Sequence, residues 1–362
     1  MPAKTIKVLI IDDSALVRQI LSKVFAQDQA FEVVGTAIDP LFAIKKIKEH
    51  KPDVITLDLE MPRMDGLTFL EKLMSIYPMP VVVISSLAQE GSAATLKALE
   101  LGAVDYIPKP AAGLGQGLAG ISEEIISKVK NAASVNMDEM RRQVKRTRAK
   151  RPADAPQAEP VEPSVEKKPL VRSTDRIIAI GASTGGTVAV KNILQKLPAN
   201  LPGILVVLHM PASFTTSFAS SLNSSCRMNV KEAEDGESVM AGYAYIAPGG
   251  RHMLLKRKTE GYYIKIDNSE PVNRHKPSVD KTFQSVAESA SPSGLGVILT
   301  GMGDDGARGL KEMHSKGSLT LAQDEKTSIV FGMPKKAIEL GGVDQVLSLD
   351  KISEAIVTYV KG

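Results

Sequence analysis

Ser183, His209 and the pair Asp304/Asp305 could together perform acyl transfer, and each follows an apolar stretch that reads as a buried strand. Serine attacks an acyl carbon, histidine takes its proton, and a carboxylate fixes the imidazole tautomer and stabilises its cation. Ser183 lies in IIAIGASTGGTVAV, residues 177–190, where an apolar run gives way to small residues and then to helical periodicity through Val188, Ile193 and Leu197. In such a strand, turn and helix unit the glycines keep the backbone accessible, and the first unpaired N–H groups of the helix point at whatever sits beside the serine. The turn N–H groups around Thr184 and Gly185 are therefore candidate oxyanion donors. A phosphate-cradling loop and an N-cap serine are the alternatives, although the turn lacks both the Gly-Lys-Ser/Thr ending and the G-x-G-x-x-G spacing of nucleotide sites. GILVVLHMP reads as a strand whose last residues are His209 and Met210, and Asp304 and Asp305 sit in the glycine-punctuated loop of GVILTGMGDDGARGL. Spacing alone does not choose between the two aspartates.

A second set of chemically capable residues occupies the first third of the chain. Asp12 and Asp13, Asp58, Ser85 and Lys109 each fall at the end of an apolar run. Three crowded carboxylates repel one another unless a divalent cation neutralises them, and an all-oxygen site with open positions suits Mg²⁺. Asp58 could then accept a phosphoryl group, with Lys109 offsetting its charge and the Ser85 hydroxyl bonding the phosphorylated state.

The elements that must position these residues alternate. KVLIID, FEVVGTA, DVITLD, PVVVIS and VDYIPK are separated by helical patterns such as ALVRQILSKVF. This implies a five-stranded parallel α/β sheet with ligands at the carboxyl ends of its strands. The later segments repeat the design in a second doubly wound α/β domain, whose Ser, His and Asp strand ends would meet at one edge. Between the two lies a Pro/Ala/Glu stretch, PADAPQAEPVEPSVEKKP, too poor in apolar residues to pack.

A chain of 362 residues with 43% hydrophobic and 24% charged residues fits two globular domains. The single cysteine, Cys226, excludes an internal disulfide framework, and no Cys/His set has zinc spacing. No window reaches the ~18 uninterrupted apolar residues of a membrane span, so a cytoplasmic protein without membrane insertion is expected. The basic run from Arg141 to Arg151 has no helix-turn-helix pattern or interleaved aromatics around it, and no nucleic-acid partner is expected. His50 and His314 sit in charged helical surroundings, whereas His252 and His275 read as loop residues.

Residues 1–110, and LDLEMPRMDGLTFLEKL and Lys109-Pro110 in particular, resemble a response-regulator receiver domain of flavodoxin-like fold. The resemblance implies phosphorylation of Asp58 by a histidine kinase, Mg²⁺ held by Asp12, Asp13 and Asp58, and often a cis peptide at Lys109-Pro110. IGASTGG, HMP, APGGRHM, KPSVD, LTGMGDDGARGL and AQDEKTSIVFGMP resemble the catalytic domain of the chemotaxis protein-glutamate methylesterases, the CheB family. That resemblance implies Ser183 as nucleophile, His209 as general base and acid, Asp305 as orienting carboxylate and Met302 as an oxyanion contact. It further implies hydrolysis of glutamate γ-methyl esters on methyl-accepting chemotaxis receptors, deamidation of receptor glutamines, and no cofactor for ester hydrolysis. The expected layout is a receiver over 1–125, a flexible linker over 126–172 and a methylesterase domain over 173–362. The rival reading is a non-enzymatic response regulator with a protein- or nucleic-acid-binding output domain.

Overall fold

A computed structural model describes residues 5–61, 64–86, 89–109, 121–149 and 175–361, and the chain divides into two compact units, residues 1–153 and 154–362. In the first unit, β1 (Ile6–Ile11), β2 (Phe31–Ala37), β3 (Val54–Asp58), β4 (Val81–Ser86) and β5 (Asp105–Lys109) form one parallel sheet in the order β2-β1-β3-β4-β5. Consecutive residues of the inner strands are buried, among them Val8, Leu9 and Ile10 in β1 and Val82 and Val83 in β4, so both sheet faces are covered. Ser14, Asp39 and Asp65 accept backbone N–H groups at the starts of helices Ala15–Ala26, Pro40–His50 and Gly66–Ile76. These caps satisfy donors that the first helical turn leaves unpaired.

The segment expected as a flexible linker opens with packed structure. Helix Ser122–Ala133 buries Ile125, Val129 and Ala132, and helix Met137–Ala149 buries Met140 and Val144. Both sets follow the three- and four-residue spacing of one helical face. Val144 packs at Gly102, where an added Cβ would stand 3.0 Å from a Val144 methyl. The first unit therefore extends beyond residue 125, and the basic run begins on a helix with a packed face. Residues 150–174 and the Lys109-Pro110 peptide lie outside the described residues.

In the second unit the strands are β6 (Ile177–Ala182), β7 (Gly203–Leu208), β8 (Asn229–Glu232), β9 (Tyr243–Ile246), β10 (His252–Arg257), β11 (Tyr262–Asp267), β12 (Gly294–Ile298), β13 (Leu319–Gln323) and β14 (Gln345–Leu347). Seven of them form a parallel sheet in the order β14-β13-β12-β6-β7-β9-β8, and β10 and β11 pair as an antiparallel hairpin. Buried Val279, Phe283, Val286, Leu310 and Met313 help to build its core. From β6 the chain works outward through β7 on one side, and from β12 it works outward on the other. The strand order thus reverses between β6 and β12, which is where a doubly wound sheet opens a crevice at its carboxyl edge.

Candidate active site

Ser183 is the first residue after β6, and its N–H donates to the Thr300 carbonyl at 3.0 Å, tying its turn to the segment after β12. The Thr300 hydroxyl donates to the Thr184 carbonyl at 3.0 Å, while the Thr300 N–H donates to Gln323 Oε1 at 2.8 Å. Gly185 has φ 76° and leads into helix Gly186–Lys196. That left-handed conformation favours glycine, and an added Cβ would also meet Ile329 at 2.9 Å. Gly301 marks a closer approach. A Cβ there would come within 2.3 Å of Met333 Sδ and 2.8 Å of Ser183 Cβ.

Gly301→Ala is therefore expected to cost about 1–3 kcal/mol of stability by overpacking. It should also displace Ser183 enough to lower the kcat of any acyl transfer at this serine by about tenfold or more. Urea unfolding and steady-state kinetics on the same preparation test both, and an alanine variant equal to wild type would show that the two turns part without cost.

His209 is the residue immediately beyond β7, which ends at Leu208 rather than including the histidine. Because β7 lies beside β6 with Leu208 opposite Ala182, His209 and Ser183 emerge side by side. His209 Nδ1 is 3.1 Å from Ser183 Oγ, and Nε2 is 2.8 Å from Asp305 Oδ2. The carboxylate can only accept, so Nε2 carries the proton and Nδ1 is left to receive the one on Ser183. Both partners of the His–Asp pair are nearly inaccessible, His209 at 7% and Asp305 at 1%. Asp304, the alternative that spacing left open, is exposed.

Asp305 is held by more donors than histidine alone. Its Oδ1 accepts from Asn273 Nδ2 at 2.9 Å, Ser278 Oγ at 2.7 Å and the Asp280 N–H at 3.2 Å, and its Oδ2 accepts from the Val279 N–H at 2.7 Å. Burial by itself would raise the pKa of this carboxyl group. The hydrogen bond and charge of His209, with the Ser278 hydroxyl and Asn273 amide, outweigh burial and hold it well below the ordinary aspartate range. Asp280 shifts the other way: burial and the charge of Asp305 raise it, although Gly309 and Asn273 donate to it.

Asn273 is not singled out in the sequence, Ser278 and Asp280 stand out only as part of the KPSVD segment bordering the cleft, and His275 reads as a loop histidine. The signal of Asn273 and His275 was thin because they lie in an irregular stretch, whereas Ser278 caps the helix Val279–Ser289. His252 opens β10 and is fully buried, rather than lying in a loop. Its Nδ1 accepts from the Ser278 N–H at 3.1 Å and its Nε2 faces the Glu270 carbonyl at 3.0 Å. It buttresses the segment around Ser278. Thr184 is buried and Met302 is 41% exposed.

In the first unit, the register brings the acidic residues to one edge. Asp58 ends β3 opposite Ile84, so Ser85 lies one residue further along the neighbouring strand, fully buried. Lys109 Nζ lies 2.7 Å from Asp58 Oδ2 and 3.1 Å from Asp12 Oδ2. Carboxylate oxygens of Asp12, Asp13 and Asp58 all fall within 4.8 Å of one another. Burial raises the Asp58 pKa to about 6, against the opposing pull of Lys109 and with a smaller push from Asp12. Burial raises Asp12 as well. Lys109 is itself raised, because the two carboxylates outweigh its desolvation. Two buried carboxylates facing one ammonium leave an excess of negative charge, and this all-oxygen set, open through exposed Asp13, fits a hard divalent cation.

Residues 178–356 match the family model for the CheB methylesterase, and residues 8–114 match that for the response regulator receiver domain. The protein-glutamate methylesterase/protein-glutamine glutaminase 1 of Xanthomonas euvesicatoria is 50% identical over 357 residues, covering 97% of this chain and 96% of its own. The protein-glutamate methylesterase/protein-glutamine glutaminase of Salmonella typhimurium is 50% identical over 355 residues, covering 98% and 97%. The crystal structure of the Thermotoga maritima CheB methylesterase catalytic domain superposes with a TM-score of 0.51 at 43% identity, spanning 52% of this chain and all of that one. With a receiver domain ahead of a methylesterase domain along nearly the whole matched length, the chain belongs to the CheB methylesterase family.

Proposed function

We propose that the second unit hydrolyses glutamate γ-methyl esters on the cytoplasmic helices of methyl-accepting chemotaxis receptors, releases methanol, and deamidates receptor glutamines by the same acyl transfer. The observation that carries this reading is the chain of hydrogen bonds from Ser183 through His209 to Asp305. Ser183 Oγ attacks the side-chain carbonyl carbon as its proton passes to His209 Nδ1, and Asp305 stabilises the imidazolium that results. The same proton then goes to the departing methoxy oxygen, giving methanol and an acyl-serine. Water attacks that ester, delivers a proton to Nδ1, and leaves a glutamate carboxylate with Ser183 restored. For glutamine the leaving group is ammonia. Backbone N–H groups of Thr184, Gly185 and Met302 are the oxyanion donors in this reading, supported by the contact of Gly301 with Ser183 and by the helix that opens after Gly185. Ester hydrolysis by this route uses only the chain's own residues and water.

The first unit supplies control. Asp58 accepts a phosphoryl group from a chemotaxis histidine kinase, with Asp12, Asp13 and Asp58 as the residues that would hold Mg²⁺. When bound, the ion supplies neutralisation of the phosphoryl oxygens. Lys109 pairs with the same oxygens and Ser85 bonds the phosphorylated form. The full protein works in the cytoplasm, where the receptors expose their methylated helices.

With a small phosphodonor and Mg²⁺, methanol release from methylated receptor membranes is expected to rise, and Asp58→Asn to abolish the rise while keeping basal release. Equal stimulation of the Asp58→Asn protein would remove Asp58 from the switch. The rival reading of a purely binding output domain leaves the Ser–His–Asp alignment without a use.

A further inference from the structure

Residues 272–275 form a turn that touches two members of the proposed esterase site at once. Val272 and His275 exchange backbone hydrogen bonds, Val272 N–H to the His275 carbonyl at 3.1 Å and His275 N–H to the Val272 carbonyl at 2.9 Å. The two residues at the corner, Asn273 and Arg274, both have positive φ, 52° and 67°. A two-residue hairpin with both corners left-handed is a type I′ turn, which ordinarily takes Asn-Gly. Asn tolerates this conformation, but an arginine in it stores strain that the surroundings must offset.

The surroundings show what the strain accomplishes. Asn273 Nδ2 donates to Asp280 Oδ2 at 2.8 Å and to Asp305 Oδ1 at 2.9 Å, so one amide group bridges the two buried carboxylates. Two residues on, the His275 ring lies flat on the His209 ring, with centroids 3.5 Å apart and planes inclined by 8°. His209 is thus fixed at both ring nitrogens, by Ser183 and Asp305, and across one face by His275. Rotation of the His209 ring would break both hydrogen bonds, and the flat contact opposes that rotation.

We infer that Val272–His275 is a positioning turn for the esterase, Asn273 holding the carboxylate of Asp305 and His275 holding the plane of His209. The inference rests on the methylesterase reading and deepens it. His275 is a positioning residue, acting on the ester only through His209. Its loss should lower kcat and leave substrate binding alone, because misplacing a reacting group by a fraction of an ångström weakens only the transition state.

The test compares His275→Phe, which keeps a flat ring, with His275→Leu, which fills the space without one, in the full-length protein. Methanol release from methylated receptor membranes gives kcat and KM, and thermal unfolding reports integrity. His275→Leu is expected to lose about tenfold to a hundredfold in kcat with KM nearly unchanged, and His275→Phe to recover most of that loss. Wild-type kcat in His275→Leu would overturn the inference. A folded His275→Phe as slow as His275→Leu would overturn it too, showing that the polar atoms of His275 matter rather than its face. A rise in KM alone would make His275 a substrate contact instead. Should His275→Leu fail to fold, the Phe variant still decides. No release even by wild type would defeat the methylesterase reading, a result distinct from active wild type with an indifferent His275.

Discussion

Ser183→Ala is expected to lower kcat for methanol release by about five to six orders of magnitude, the cost of removing the nucleophile where serine and histidine act as a unit. Stability should hardly change. The one side-chain hydrogen bond at stake joins Ser183 Oγ to His209, and a single neutral hydrogen bond contributes only about 1 kcal/mol net. His209 keeps its stronger anchor on Asp305 and its stack on His275. Steady-state kinetics and thermal unfolding of the purified variant check both halves. Retained turnover within a hundredfold of wild type would remove Ser183 from the nucleophile's role.

Asp305→Asn is the second large effect, and it acts on both chemistry and stability. The wild-type carboxylate gathers donors from Asn273, Ser278, Val279, Asp280 and His209. An asparagine placed there sets an NH₂ group among them. Where that amide faces His209 it donates to Nε2, the ring proton shifts to Nδ1, and Ser183 loses its acceptor. A wrong tautomer of this kind costs about 10⁴-fold in kcat. Losing a buried, multiply bonded charge should cost about 3 kcal/mol of stability. Asp304→Asn, one residue earlier and exposed, is the internal control and should behave as wild type.

The pH dependence of that stability difference has a definite sign. The folded Asp305 carboxyl titrates below its unfolded value, so the unfolded chain binds the proton first. Its stabilising contribution is complete above the unfolded aspartate pKa of about 3.9 and is lost as pH falls through the lower folded value. Wild type and Asp305→Asn should therefore not converge between neutral pH and about pH 5, and should do so only in stronger acid. Urea unfolding across that range measures it, and a difference that shrinks between neutrality and pH 5 would contradict the assignment.

Much of this was legible in the sequence because parallel α/β sheets write their chemistry at strand ends. IIAIGAST, GILVVLH and GVILTGMGDD each announce a buried strand followed by a polar residue, and strand adjacency at the reversal of order brings the three ends together. The choice between Asp304 and Asp305 was beyond spacing, since both follow the same loop and only its path buries one of them. Asn273 and His275 were illegible for a different reason. Their positions depend on an irregular stretch with two left-handed residues, and no periodicity encodes such a turn. The packed helix beyond residue 125 was hidden for a physical reason as well. Met140 and Val144 are two apolar residues in a strongly basic stretch, and composition hides a helical face that narrow.

The most direct test of the central claim is methanol release from methylated receptor membranes by the wild-type protein and by Ser183→Ala side by side. Release by wild type and none above background by the folded Ser183→Ala protein is the expected result. Release by both, or by neither when a suitable methylated receptor is present, would contradict it.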